Sequence, residues 1–132
     1  MPLASSGVTW SRTVLVALGG AAGSVSRYLV SAFVQAARPG SFPWGTFAVN
    51  VLGCFLAGVV AGLAEGRGVL GPEGRILLLT GFLGGFTTFS AFGLETVQLL
   101  RGGQVAAAGL NVGLQLLCGA AAVAAGLWST RA

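Results

Sequence analysis

The chain has 132 residues, of which 55% are hydrophobic and 8% are charged, with a mean hydropathy of +0.87 and a net charge of +4. Soluble domains carry about 25% charged residues, so this composition excludes an ordinary soluble domain and predicts an integral membrane protein. Because lysine, histidine and aspartate are absent, most metal sites, catalytic triads and Schiff-base chemistries are unavailable, and we expect no enzyme activity.

Four apolar runs are each long enough to cross a hydrocarbon core of ~30 Å at a rise of ~1.5 Å per helical residue. They cover about Thr13–Ala36, Gly45–Ala64, Ile76–Leu100 and Val105–Trp128. Short connectors rich in glycine, proline and charge separate them, and a polar leader (Met1–Arg12) and a tail (Ser129–Ala132) flank them. The sequence therefore predicts one all-α domain over residues 1–132, with four transmembrane helices and no soluble domain.

The arginines outside the spans are single and scattered, which is typical of membrane-boundary anchors rather than of a nucleic-acid surface. Four spans place both termini on one side of the membrane. That side carries Arg12, Arg67, Arg75 and Arg131, and the opposite side carries Arg38 and Arg101. This bias favours cytoplasmic termini, but it is slight enough to be compatible with insertion in both orientations.

The third span contains the stretch GFLGGFTTFSAFGLE, Gly81–Glu95, which is too rich in glycine and hydroxyl residues for a helix that only spans a membrane. Gly84-Gly85 followed by Thr87-Thr88 predicts a helix broken in mid-membrane, with backbone carbonyls that need partners. Irregular backbone at that depth is tolerated only where it is buried in protein or lines a cavity. We therefore expect the functional site in this stretch.

Two charged side chains fall inside the predicted spans. Arg27 either reaches the membrane surface or a carbonyl, or it stands at the mouth of an aqueous path and concentrates anions. Glu95 lies towards the end of its helix, which favours an interfacial or inter-helix partner over coupling to a proton or cation.

The amides of Asn50, Asn111 and Gln115 also fall inside the spans. They can form inter-helix hydrogen bonds or supply N–H donors along a pore, and the sequence leaves both interpretations open. Because the spans hold no aspartate, and glutamate only near their ends, the available groups suit an anion better than a cation.

Phe89 and Phe92 are three residues apart, so they would project from one helical face. One interpretation is that both are bulky apolar side chains that face lipid or the protein core. The other is that the positive edges of their rings contact a partly dehydrated anion beside the break. The oxygens of backbone carbonyls freed near Gly84 and Thr87 carry a negative partial charge, unlike the ring edges, and would suit a small hard cation such as Na⁺. One segment thus offers an anion surface and a cation site.

The chain resembles the Fluc (also called CrcB) family of fluoride channels over nearly its whole length. The resemblance is carried by GGAAGSVSRY (Gly19–Tyr28), WGTFAVNVLG (Trp44–Gly53) and the stretch Gly81–Glu95. It implies a four-span subunit with a broken third helix, assembled as an antiparallel, inverted dimer in the bacterial plasma membrane. It also implies passive export of fluoride, which lowers fluoride toxicity, and a structural Na⁺ at the dimer centre.

The resemblance also implies roles for individual residues. The fluoride pathway would be lined by Asn50, Phe89, Phe92, Thr88, Ser90, Asn111 and Gln115. Arg27 and Glu95 would be vestibule or structural charges, and the backbone carbonyls of Gly84 and Thr87 would hold the sodium ion. The family's usual TTFSTFS reads TTFSAFG here, so Ala91 and Gly93 replace hydroxyl residues. The partner subunit would be a second copy or a paired homologue.

Two other classes of membrane protein make different demands on the sequence. A small four-span transporter of cationic drugs would need a carboxylate near the middle of the first span, and this span has none. A purely structural membrane subunit would not depend on Phe89 or Asn50.

Overall fold

In the computed structural model, residues 7–131 are described. Residues 1–6 of the predicted leader and Ala132 of the predicted tail lie outside the described residues. Helix α1 covers Trp10–Ala37 and α2 covers Trp44–Gly66. The third helical segment, α3, comprises an α-turn at Pro72–Arg75, a π-helical stretch at Ile76–Leu83 and an α-turn at Gly84–Phe86. Helix α4 covers Phe89–Arg101 and α5 covers Val105–Ser129.

The predicted number of long apolar helices is confirmed. Four helical segments of the described chain are long and apolar enough to cross a membrane: Trp10–Ala37, Trp44–Gly66, Pro72–Arg101 and Val105–Ser129. Each of the four is slightly longer than the predicted run, because polar residues at the ends continue the helix beyond the apolar core. Thr9, for example, caps α1 by accepting a hydrogen bond from the Arg12 N–H at 3.2 Å.

The third segment is interrupted at Thr87 and Thr88, whose backbone dihedral angles are extended. The glycine pair before them is not the break, because Gly84 and Gly85 lie in a helical turn. Gly85 is required for another reason: a β-carbon there would collide with the Gly20 carbonyl on α1. The position of the interruption relative to the middle of a membrane stays a prediction.

The π-helical stretch Ile76–Leu83 was not predicted. A π-helix is wider than an α-helix and usually occurs in short pieces near functional sites. It packs on α1 through glycines, since Gly19 faces the Leu77 carbonyl and the Gly81 Cα without room for a β-carbon. A similar contact joins Gly58 of α2 to Gly126 of α5. Small residues at these crossings let the helix backbones approach closely, as in membrane bundles.

The core of the subunit is small. It is built around Val49, Leu83 and Phe86, with Phe82 stacked on Phe86 at a ring-centroid distance of 5.8 Å. Many large apolar side chains lie on the surface instead, including Phe33 and Leu117. That distribution is expected for a chain whose surface faces lipid or another subunit.

Candidate functional site

The interruption of the third segment is bridged by Asn50, which α2 presents to Thr88. The Thr88 N–H donates to Asn50 Oδ1 at 2.8 Å, and Asn50 Nδ2 donates to the Thr88 carbonyl at 3.0 Å. Thr88 then caps α4, because its Oγ1 accepts from the Ala91 N–H at 3.1 Å. Side chains thus take over backbone bonds that a continuous helix would make.

These two side-chain bonds release two carbonyls. In a continuous α-helix the Thr88 N–H would bond to the Gly84 carbonyl, and the Ala91 N–H would bond to the Thr87 carbonyl. Both donors are diverted, to Asn50 Oδ1 and to Thr88 Oγ1 respectively. The carbonyls of Gly84 and Thr87, which are the two groups predicted to hold Na⁺, thereby lose the N–H donors that a continuous helix would give them. No group of three or more His, Cys, Asp or Glu side chains that could hold a metal ion occurs within residues 7–131.

A first cavity of about 410 Å³ opens beside the interruption. Its walls contain seven of the predicted site residues: Asn50, Gly84, Thr87, Thr88, Phe89, Phe92 and Gln115. The rings of Phe89 and Phe92 lie 5.4 Å apart, tilted by 56°. Phe89 is 79% exposed, so its ring is available for further contacts. No glutamate lines this cavity, whose polar groups are amides, hydroxyls, carbonyls and the thiol of Cys54.

The amides of α5 have different environments. Gln115 Oε1 accepts from Asn50 Nδ2 at 3.1 Å, which links α5 to the site. Asn111 is fully buried and donates to Thr96 Oγ1 at 3.0 Å. It lines neither this cavity nor the second one described below. Ser90 is exposed, with its hydroxyl 3.4 Å from that of Thr88.

A second cavity, of about 420 Å³, lies on the other side of Thr88. Arg27 and Glu95, the two charged residues of the spans, both line it. Glu95 Oε1 accepts from Thr46 Oγ1 at 2.7 Å, while its Oε2 is buried without a partner among residues 7–131. Thr88 lines both cavities, so it lies between a space bordered by Arg27 and Glu95 and a space lined by amides and rings.

Sequence reasoning missed Thr46 and Thr96, which hold two of the predicted residues in place. Thr46 donates to Glu95, and Thr96 links Asn111 to the Phe92 carbonyl, to which it donates at 2.7 Å. A signal was available for Thr46, because it lies four residues before Asn50 and therefore on the same face of α2. Thr96 follows Glu95 directly and has no comparable pattern.

Comparisons with known proteins give a consistent result. The sequence profile of the family described as "CrcB-like protein, Camphor Resistance (CrcB)" matches residues 14–127. A Maridesulfovibrio salexigens protein named "Fluoride-specific ion channel FluC" is 51% identical over 112 residues, covering 85% of this chain and 89% of its own length.

Proteins of the same name share similar identity in other organisms. The relative from Nitratidesulfovibrio vulgaris is 51% identical over 120 residues, with 91% of this chain and 97% of the relative covered. The relative from Rhizobium johnstonii is 48% identical over 121 residues, which cover 92% of this chain and 97% of the relative. The region that the family profile matches contains the second and third membrane-length segments completely and all but the ends of the first and fourth.

Proposed function

Because the chain belongs to the CrcB family, we propose that it forms a fluoride-selective ion channel, the function carried in the names of its curated relatives. A protein of this family is a channel and not an enzyme, in agreement with the side-chain inventory of the sequence. The resemblance noted from the motifs alone is thereby confirmed at the level of the family.

The first cavity is the observation that supports the proposal best. An anion-selective path needs hydrogen-bond donors and positive potential without competing carboxylates. The cavity brings the amides of Asn50 and Gln115 together with the rings of Phe89 and Phe92, and no glutamate lines it. Ring edges carry positive potential, so a small, partly dehydrated anion can contact them. Arg27 in the neighbouring cavity would raise the local concentration of anions.

The direction of transport follows from a passive path. A channel moves fluoride down its gradient, so in a cell that accumulates the anion the net movement is export, which lowers its toxicity. Four helices long and apolar enough to span a membrane are consistent with a multi-pass protein of the bacterial plasma membrane. Thr88 would complete the polar lining together with Asn50 and Gln115, whereas Ser90 and Asn111 line neither cavity and their place in the pathway stays a prediction.

A structural Na⁺ belongs to the same proposal. The carbonyls of Gly84 and Thr87 have lost their helical donors to side chains, which makes them suitable oxygen ligands. Two carbonyls from one chain are too few to replace the hydration shell of the ion. A second subunit that presents the same two carbonyls would complete the site, which agrees with a dimer that has the sodium at its centre.

We propose that this dimer is antiparallel and formed by two copies of the chain, or by the chain and a paired homologous subunit. Antiparallel assembly requires insertion in both orientations or two oppositely oriented chains. The slight arginine bias, four against two, is compatible with the first. Exposed apolar residues next to the site, among them Phe89 and Leu94, would then be covered by the partner.

Anion efflux from liposomes tests the function. The protein expressed alone, purified and reconstituted should dissipate a fluoride gradient and leave a chloride gradient of the same size intact. Chloride release as fast as fluoride release would contradict selectivity. If the chain alone releases neither ion, but does so together with a homologous subunit, the homodimer is wrong and the paired assembly is supported.

A further inference from the structure

The orientation of the Asn50 amide is determined by the backbone of Thr88. The interruption leaves the Thr88 N–H in need of an acceptor, while the Thr88 carbonyl, at the N-cap of α4, has a second lone pair that can accept from a side chain. Asn50 Oδ1 meets the N–H at 2.8 Å and Asn50 Nδ2 meets the carbonyl at 3.0 Å. The opposite orientation would set oxygen against oxygen and N–H against N–H, so only this one satisfies both backbone groups.

Asn50 consequently has no N–H left for an ion. A primary amide has two N–H donors. One is given to the Thr88 carbonyl and the other to Gln115 Oε1, at 3.1 Å. Asn50 is therefore a positioning residue in this arrangement, although it lines the cavity.

Gln115 is left with an unused donor. Its Oε1 must face Asn50, because the group that Asn50 presents is an N–H. The Nε2 group of Gln115 is therefore the part of the amide that does not face Asn50. It is buried and has no hydrogen-bond partner within the described part of the chain. A buried donor without a partner is costly, so its persistence calls for a ligand. Gln115 shares its cavity with Phe89 and Phe92, where no carboxylate competes for the N–H.

We propose that Gln115 Nε2 is the amide donor that binds the permeating anion, and that Asn50 acts by fixing its orientation. The assignment rests on the proposed fluoride-channel function and names the donor within that site. Gln115 would hold the ion by an N–H while the edges of Phe89 and Phe92 contact its other side. A small anion of high charge density gains most from such a single strong donor.

Fluoride efflux measured over a range of fluoride concentrations tests the assignment. Gln115→Met keeps the length and flexibility of the side chain but removes both N–H groups. We expect the half-saturating fluoride concentration to rise about tenfold or more, the factor for one lost hydrogen bond to an ion. Gln115→Glu replaces the donor by a charged acceptor, and we expect it to reduce flux further than the methionine variant.

Gln104→Met is the matched control. Gln104 lies before α5, accepts a hydrogen bond from Ser41 Oγ at 2.6 Å and lines neither of the two cavities. We expect it to leave the half-saturating concentration unchanged. Thermal unfolding and size-exclusion profiles of all variants separate folding from ion binding. If Gln115 has only a structural role, its substitution would change the stability and the number of active channels, but not the half-saturating fluoride concentration.

The measurements distinguish a failure of the proposed channel function from a failure of the assignment of Gln115 as the donor. If the unmodified protein releases fluoride neither alone nor together with a homologous subunit, the proposed function is wrong. If it does, and Gln115→Met keeps the original half-saturating concentration, the donor assignment is wrong while the channel function stands. Gln115→Leu also lacks the N–H groups and gives the same comparison if the methionine variant does not reconstitute.

Discussion

The Asn50 amide forms a reciprocal pair of hydrogen bonds with the Thr88 backbone, accepting from its N–H at 2.8 Å and donating to its carbonyl at 3.0 Å. This reciprocal pair does three things at once. It satisfies the Thr88 N–H at the helix interruption, it takes from the Gly84 carbonyl the donor that a continuous helix would give it, and it fixes the orientation of the amide that bonds to Gln115. One side chain on α2 therefore couples the proposed cation site to the proposed anion path.

Asn50→Asp should abolish this coupling. One carboxylate oxygen can still accept from the Thr88 N–H, but the other oxygen then faces both the Thr88 carbonyl and Gln115 Oε1, to which Asn50 donates. We expect fluoride flux to fall more than tenfold while the assembled protein elutes unchanged. Gln98→Glu is the control, since it makes the same chemical change at an exposed position of α4. Equal flux in the two variants would contradict a role for the Asn50 N–H groups.

Phe89→Ile tests whether the ring itself is needed. Isoleucine retains apolar bulk but has no positive ring edge to offer an anion. We expect flux to fall more than tenfold, while the core of each subunit stays intact, because Phe89 is 79% exposed in the single subunit and contributes little to that core. Phe33→Ile is matched for exposure, at 77%, and lies on α1 outside both cavities. If the Phe89→Ile and Phe33→Ile variants both keep the original fluoride flux, the anion path does not run past the Phe89 ring.

Removal of sodium tests the cation site. If the freed carbonyls of Gly84 and Thr87 bind Na⁺ in the folded assembly only, replacing Na⁺ by N-methylglucamine at equal ionic strength should lower the unfolding temperature. Saturation to about 100 times the dissociation constant would contribute about 2.7 kcal/mol to the free energy of unfolding. Thermal unfolding in detergent, followed across a sodium titration, measures this. Identical unfolding in both cations would rule out a stabilising sodium ion.

The sequence allowed the helices and most of the site to be predicted, because each depends on local pattern. Long apolar runs predict the four spans, and the cluster of glycine and threonine predicts an irregular third segment. Seven of the predicted residues do line one cavity, since Asn50 and Gln115 are the amides of neighbouring helices next to the interruption.

The remaining features depend on how each helix is rotated, which a uniformly apolar sequence does not specify. Asn111 and Gln115 are on the same face by spacing, yet only Gln115 reaches the cavity, while Asn111 turns to Thr96. The break falls at Thr87 and Thr88, where Asn50 bonds to the Thr88 backbone, while Gly85 stays in a helical turn where it lies against the Gly20 carbonyl of α1. The π-helical stretch likewise reflects tertiary packing and carries no sequence signature.

Gly53→Ala tests the packing that keeps the interruption in place. Gly53 lies against the Thr87 side chain, and a β-carbon there would overlap Thr87 Cγ2 and approach Phe86 Cδ1 to 3.3 Å. Overpacking of this kind costs about 1–3 kcal/mol, so we expect the free energy of unfolding to fall by that amount. Displacement of Thr87 should also reduce fluoride flux. Gly109→Ala is the control, because a β-carbon at that position meets nothing within 4 Å and alanine favours the helix by about 0.5–1 kcal/mol. Equal stability and flux in the two variants would show that α2 does not hold Thr87 in position.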